Sequence, residues 1–130
     1  MSKILFCGKQ ISDGGWVYGY PYSDGKKSYI AYEGKKDCII HEVVPETLKP
    51  YTGLLDKNSQ KIFEGNIIKA IWRYLSNTYT VVGIVKYDNA AFFLETDDHY
   101  LFFEDNIFSA ECEVIGNIYD NPELIGGNQT

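Results

Sequence analysis

"PYTGLLDKNSQKIFEGNIIKAIW", residues 50–72, packs two turn signals and the start of an apolar run into one stretch. Thr52-Gly53-Leu54-Leu55 leads into Asp56-Lys57-Asn58-Ser59, where Asp and Asn side chains bond their own backbone and tolerate left-handed geometry. Lys61 to Glu64 returns as a partner strand. Gly65-Asn66 then makes a second tight turn before "IIKAIW", with Gly65 suited to positive φ. Two reversals within about a dozen residues describe short antiparallel strands and leave no room for a helix.

Period-two alternation extends outward in both directions. In "GWVYGYPY" (15–22) the aromatics Trp16, Tyr18, Tyr20 and Tyr22 share one parity and Val17, Gly19 and Pro21 the other, which is a strand with one aromatic face. Pro21 points to an edge position or a strand end. A turn at Ser23-Asp24-Gly25, the strand "KSYIAY", a turn at Glu33-Gly34 and the strand "DCIIHEVV" complete an N-terminal β-meander. Pro45 and Glu46 suit a single helical turn that Pro50 ends. Downstream, "YTVVGIVKY" and "AAFFLET" read as strands joined at Asp88-Asn89, followed by "YLFF" and "CEVIGNIY". Asn121 and Pro122 suit one more helical turn, and "GGNQT" (126–130) reads as a tail. Many short strands with frequent turns predict a small all-β barrel or sandwich.

At 130 residues the expectation is one domain. Its lobes are a meander over about 1–48 and a barrel over about 49–125. Twelve basic against eighteen acidic residues give −6, so the net field opposes phosphate backbones. Nucleic-acid binding therefore needs a local basic groove, for which Lys26, Lys27, Lys35, Lys36, Lys69 and Arg73 are the candidates. The apolar run after Met1 is too short for a signal peptide, and nothing has the length of a membrane span. A cytoplasmic protein, or one made in a host's cytoplasm, is expected, with no membrane partner.

The chemistry-bearing residues assemble no recognisable machinery. Cys7, Cys38 and Cys112 are odd in number and scattered, without a CxxC. Glu95, Asp97, Asp98, Glu104 and Asp105 are numerous enough for metal-assisted chemistry but lack calcium-loop spacing. Asp98 and His99 are adjacent, so on a strand they point to opposite faces and form no dyad. No glycine-rich phosphate loop occurs. The expectation is a non-enzyme with no catalytic residues, metal or cofactor. Its aromatic face, Trp16, Tyr18, Tyr20 and Tyr22, fits either half of a core or a protein interface, where each ring offers large area and a polar tip, with stacking of single-stranded bases as the alternative.

Four blocks in order, "WVYGY" (16–20), "VPETLKPYTGLLDKNSQKIFEGNIIK" (44–69), "GIVKYDNAAFFLE" (83–95) and "EVIGNIYDNPELI" (113–125), resemble the YopX protein family of bacteriophages and prophages of low-GC Gram-positive bacteria. The resemblance lies in Tyr51, Thr52, Gly53, Leu54 and Asp56, in Glu64, Gly65 and Ile67, and in Ile115 to Leu124, including Gly116 and Asn117. Asn66 stands where Asp is usual in the family, Ser59 where Gly is frequent, and Ala91 near a position often Gly. The resemblance implies an SH3-like or pseudo-barrel fold with one or two single-turn helices. It implies a phage protein of unassigned activity and supplies no catalytic residues. Residues Gly53, Asp56, Asn58, Gly65, Asn66, Gly116 and Asn117 are then expected as a structural turn motif. The functional reading is an interaction module that self-associates or binds a host or phage protein. A nucleic-acid-binding barrel and a metal-assisted enzyme are the alternatives.

Overall fold

The alternation becomes eleven strands in a computed structural model that describes residues 5–125. In chain order they are β1 (Phe6–Lys9), β2 (Trp16–Ser23), β3 (Ser28–Glu33), β4 (Cys38–Val43), β5 (Lys49–Leu55), β6 (Lys61–Phe63), β7 (Asn66–Tyr74), β8 (Asn77–Asp88), β9 (Ala91–Glu95), β10 (Tyr100–Phe102) and β11 (Glu113–Asn117). Helical structure among the described residues is limited to 3-10 turns at Pro45–Thr47, Ser109–Glu111 and Pro122–Ile125. The protein is all-β. The tail expected at 126–130 lies outside the described residues. No described helix is long and apolar enough to cross a membrane.

The chain divides into two compact units, Met1–Tyr51 and Thr52–Thr130, with the boundary inside β5. In the first unit the antiparallel order is β4-β3-β2-β1-β5. β1 pairs with Trp16 to Gly19, and β3 pairs with Tyr20 to Ser23. Among the described residues Pro21 thus faces a neighbour on one side only, so an interior strand tolerates a residue without an N–H. Val17, Ile30 and Val43 form the core here, with Phe6 and Leu48 packed against them. Buried Thr47 ties the 3-10 turn to β1: its Oγ1 accepts the Lys9 N–H at 2.9 Å and donates to the Val44 carbonyl at 2.6 Å.

In the second unit the order is β10-β9-β8-β7-β11, and the later half of β5 pairs with β6. The long β7–β8 hairpin, in register from Ile67↔Ile84 to Tyr74↔Asn77, is its spine. Ile62, Ile68, Ala70, Val85, Leu94, Leu101, Ile107 and Cys112 form its core. Each large apolar side chain buried this way contributes about 1.5–3 kcal/mol.

Closure into a barrel, expected from the many short strands, does not occur: both sheets are open. In the second unit the edges are occupied by the chain itself, which removes the need to close. On β10 the Phe102 N–H donates to Asn106 Oδ1 at 2.8 Å, and its carbonyl accepts the Asn106 N–H at 2.9 Å. On β11 the Val114 N–H donates to Asp56 Oδ2 at 2.9 Å, and the Cys112 carbonyl just before the strand accepts the Lys57 N–H at 2.9 Å. In the first unit the Gln10↔Val43 bridge brings the chain after β1 against β4 without a continuous ladder.

Candidate functional site

The turn motif of residues 53–66 is a fastening. Asp56 is 5% exposed, and its carboxylate accepts three backbone N–H groups: Asn58 at 2.8 Å and Gln60 at 2.9 Å on Oδ1, Val114 at 2.9 Å on Oδ2. Burial pushes its pKa up, but the N–H groups of Val114, Gln60 and Asn58 more than offset this and hold it below the ordinary value. One side chain thus shapes the β5–β6 loop and ties it to β11. Gly53 and Gly65 adopt φ of +88° and +90°. The Gly65 N–H bonds the Val85 carbonyl, and its own carbonyl accepts from Ile118. Asn66 Oδ1 accepts the Phe63 N–H at 2.8 Å, a task for which a neutral amide suffices.

The same economy holds at the C-terminal block. Asn117 Oδ1 accepts the N–H groups of Tyr119 and Asp120, both at 2.9 Å. A Cβ added to Gly116 would lie 2.6 Å from Asn121 Oδ1, which itself accepts the Asn117 N–H. The side chains of Asp56, Asn66, Asn117 and Asn121 thus each accept backbone N–H groups.

In the first unit the expected aromatic face of β2 does point outward. Tyr18, Tyr20 and Tyr22 are 50%, 41% and 55% exposed, while Val17 and Gly19 between them are buried and Trp16 is half-buried. Register continues the face onto Tyr29 opposite Tyr22, and onto Ala31 and the exposed Ile40. The Tyr22 and Tyr29 rings lie 5.7 Å apart. Burial pushes the Tyr18 hydroxyl pKa up, with the Cys7 thiol adding to it.

In the first unit the basic candidates form two separate pairs. Lys26 and Lys27 lie in the β2–β3 turn, where their N–H groups bond Asp24 Oδ1 at 2.9 and 2.8 Å. These two bonds hold the Asp24 carboxyl below its usual range. Lys35 and Lys36 lie in the β3–β4 turn, at the opposite end of a six-residue strand and thus about 20 Å away. In the second unit Arg73 is clamped by Glu111, with Nη1–Oε1 at 2.7 Å and Nη2–Oε2 at 2.9 Å. Lys69 is exposed on β7.

Some of the acidic candidates are engaged and others exposed. Glu95 pairs with Lys86 at 3.6 Å, and Glu104 Oε1 accepts the Ser109 N–H at 2.7 Å. Asp97 and Asp98 are exposed in the β9–β10 turn. His99 packs its ring 4.5 Å from that of Trp72. No three His, Cys, Asp or Glu side chains converge on a point among the described residues. The Cys112 thiol is fully buried, which pushes its pKa up to about 12.

A surface that the sequence reading passed over lies on the second unit. Val85, Leu94 and Leu101 face its core, so their alternates Lys86, Phe93, Glu95, Tyr100 and Phe102 face outward. There Phe93 sits 5.5 Å from the Tyr100 ring and 5.7 Å from Phe102, on the floor of an open groove of about 500 Å³. Tyr100 is 64% exposed and Phe102 42%. Charge differs sharply between the units. Residues 1–51 hold seven lysines and six acids, net +1; residues 52–130 hold five basic and twelve acidic residues, net −7.

What this geometry defines is an all-β protein with exposed aromatic sheet faces and hydrogen-bonded turns. The family model described as YopX protein matches residues 6–126, and the chain belongs to that family. No curated protein matches it. Among solved structures it is similar to the crystal structure of protein EF1440 from Enterococcus faecalis, at 22% identity and a TM-score of 0.60, over 97% of this chain and 100% of that one. At that identity the likeness speaks for the fold alone.

Proposed function

We propose that this protein is a non-enzymatic interaction module, encoded by a phage or prophage and working in the cytoplasm of the host bacterium, which binds a host or phage protein or a second copy of itself. The observation that carries the reading is the outward row of Tyr18, Tyr20 and Tyr22, which stay 41–55% exposed while the alternate positions Val17 and Gly19 are buried. Aromatic side chains are enriched at protein interfaces, where their area is buried at small entropic cost. The side chains of the turn residues Asp56, Asn66 and Asn117 are instead bonded to backbone N–H groups.

Affinity capture from host lysate, with sedimentation velocity on the purified chain, tests the reading. A stoichiometric partner or a dimer is expected, weakened at least about tenfold by Tyr20→Ala with Tyr22→Ala. A monomer that retains no partner in a lysate of the infected host would overturn it.

A further inference from the structure

We infer that the groove on the outer face of β8, β9 and β10 is a docking site for a basic segment of a partner protein, whose Arg or Lys side chains lie against Phe93, Tyr100 and Phe102 and pair with the carboxylates around them. This rests on the interaction-module reading and narrows it to one surface and one partner chemistry.

The argument is charge complementarity joined to ring geometry. Asp88 and Glu95 line the groove beside the cation Lys86, and Asp97 and Asp98 lie in the turn that joins its lining residues Glu95 and Tyr100. Lys86 is engaged with Glu95. Among the described residues, none of Asp88, Asp97 and Asp98 has a basic group within ion-pair distance. Phe93, Tyr100 and Phe102 line the one groove, and a guanidinium over an aromatic face is attracted by the ring quadrupole. A groove that joins aromatic rings to surplus carboxylates complements a cation with an apolar stem, the form of Arg and Lys.

Other occupants fit worse. A nucleic acid would bring phosphates to a unit of net charge −7. A second copy docked through the same face would set this acidic patch against itself, since a two-fold interface is self-complementary. Strand addition at β10 is obstructed because both the N–H and the carbonyl of Phe102 are already bonded to the following loop.

The test is a titration of the full ¹⁵N-labelled chain with three probes: an Arg-Gly repeat peptide, a Glu-Gly repeat peptide and a single-stranded oligothymidine, each of about twelve units. The Arg-Gly peptide is expected to shift amides of residues 86–102 and to weaken as salt rises from about 50 to about 500 mM. Tyr100→Ala and Phe102→Ala should each weaken it about 3- to 30-fold. Asp97→Asn with Asp98→Asn should flatten the salt dependence. If Phe102→Ala lowers the melting temperature, Tyr100→Ala, on the more exposed side chain, carries the comparison alone. Saturable shifts elsewhere, no shifts at millimolar peptide, equal binding of the Glu-Gly peptide, or oligothymidine binding at this groove would each overturn the assignment. Lysate capture separates the two levels. A partner retained equally by wild type and Tyr100→Ala removes the groove and leaves the module reading intact. Peptide binding at the groove without any cellular partner upholds the groove chemistry and removes the module reading.

Discussion

Replacing Asp56 tests the fastening directly. At 5% exposure its carboxylate serves three N–H groups, two inside the β5–β6 loop and one on β11. Hydrogen bonds to a charged group contribute about 1.5–3 kcal/mol each. Because the three share one carboxylate, their losses do not simply add, and Asp56→Ala should cost about 3–5 kcal/mol. Against a typical total of about 5–15 kcal/mol, that is a large fraction of the fold's margin. Asp56→Asn keeps one acceptor oxygen but turns an amide NH₂ towards an N–H, so a loss of about 2–3 kcal/mol is expected. Urea unfolding followed by circular dichroism reads the stability, and hydrogen exchange at the Val114 amide reads the tether locally. The pH dependence has a fixed sign. The folded pKa lies below the ordinary aspartate value, so the stabilisation is complete above about pH 3.9 and is lost as pH falls through the lower folded value. The gap between wild type and Asp56→Asn should therefore close under acid. A cost below about 1 kcal/mol for Asp56→Ala, or a gap that persists unchanged to pH 2, would refute the reasoning.

Other perturbations follow from the backbone and the thiols. Gly65→Val places a β-branched residue at φ +90° and should destabilise by about 1–3 kcal/mol, read as a lower melting temperature; an unchanged value would mean this turn relaxes freely. Ser59→Gly and Ala90→Gly relieve left-handed residues at φ +63° and +64°, and each should raise stability by about 0.5–1 kcal/mol in the same melts. Ellman's reagent should modify exposed Cys38 rapidly in the native protein. Cys112 should react only on unfolding, since it is buried and its thiol pKa stands at about 12.

The turns were the most legible part of this chain, because their residue types state a local geometry. Gly65 reads as positive φ and has it. Ser59, where the family often has Gly, turns out to be left-handed itself. The meander of β2, β3 and β4 was legible from alternation, and so was the shared face of Tyr18, Tyr20 and Tyr22, but only burial of Val17 and Gly19 shows that this face points outward. β1 was not. "LFCGK" has no alternation, and only pairing with β2 and β5 makes Phe6–Lys9 a strand. The β8–β9 turn was misplaced by one residue. Asn89 and Ala90 both have positive φ, a type I′ pair, and Ala at its second position gives no turn signal. The 3-10 turn Ser109–Glu111 was also missed, since it has neither Pro nor a side-chain cap.

The groove on β8, β9 and β10 was illegible for a different reason. Phe92-Phe93 and Phe102-Phe103 place an aromatic on both parities, so alternation cannot say which ring faces outward. Only pairing decides: Phe93 stands opposite Phe102 and Leu94 opposite Leu101, and burial of the leucine pair sends the phenylalanine pair out. Net charge misleads in a related way. The value of −6 averages a unit of +1 with one of −7, so repulsion of phosphate is an argument about the second unit and says little of the first. In the first unit the sequence pairs Lys26-Lys27 and Lys35-Lys36 stand apart, at opposite ends of β3.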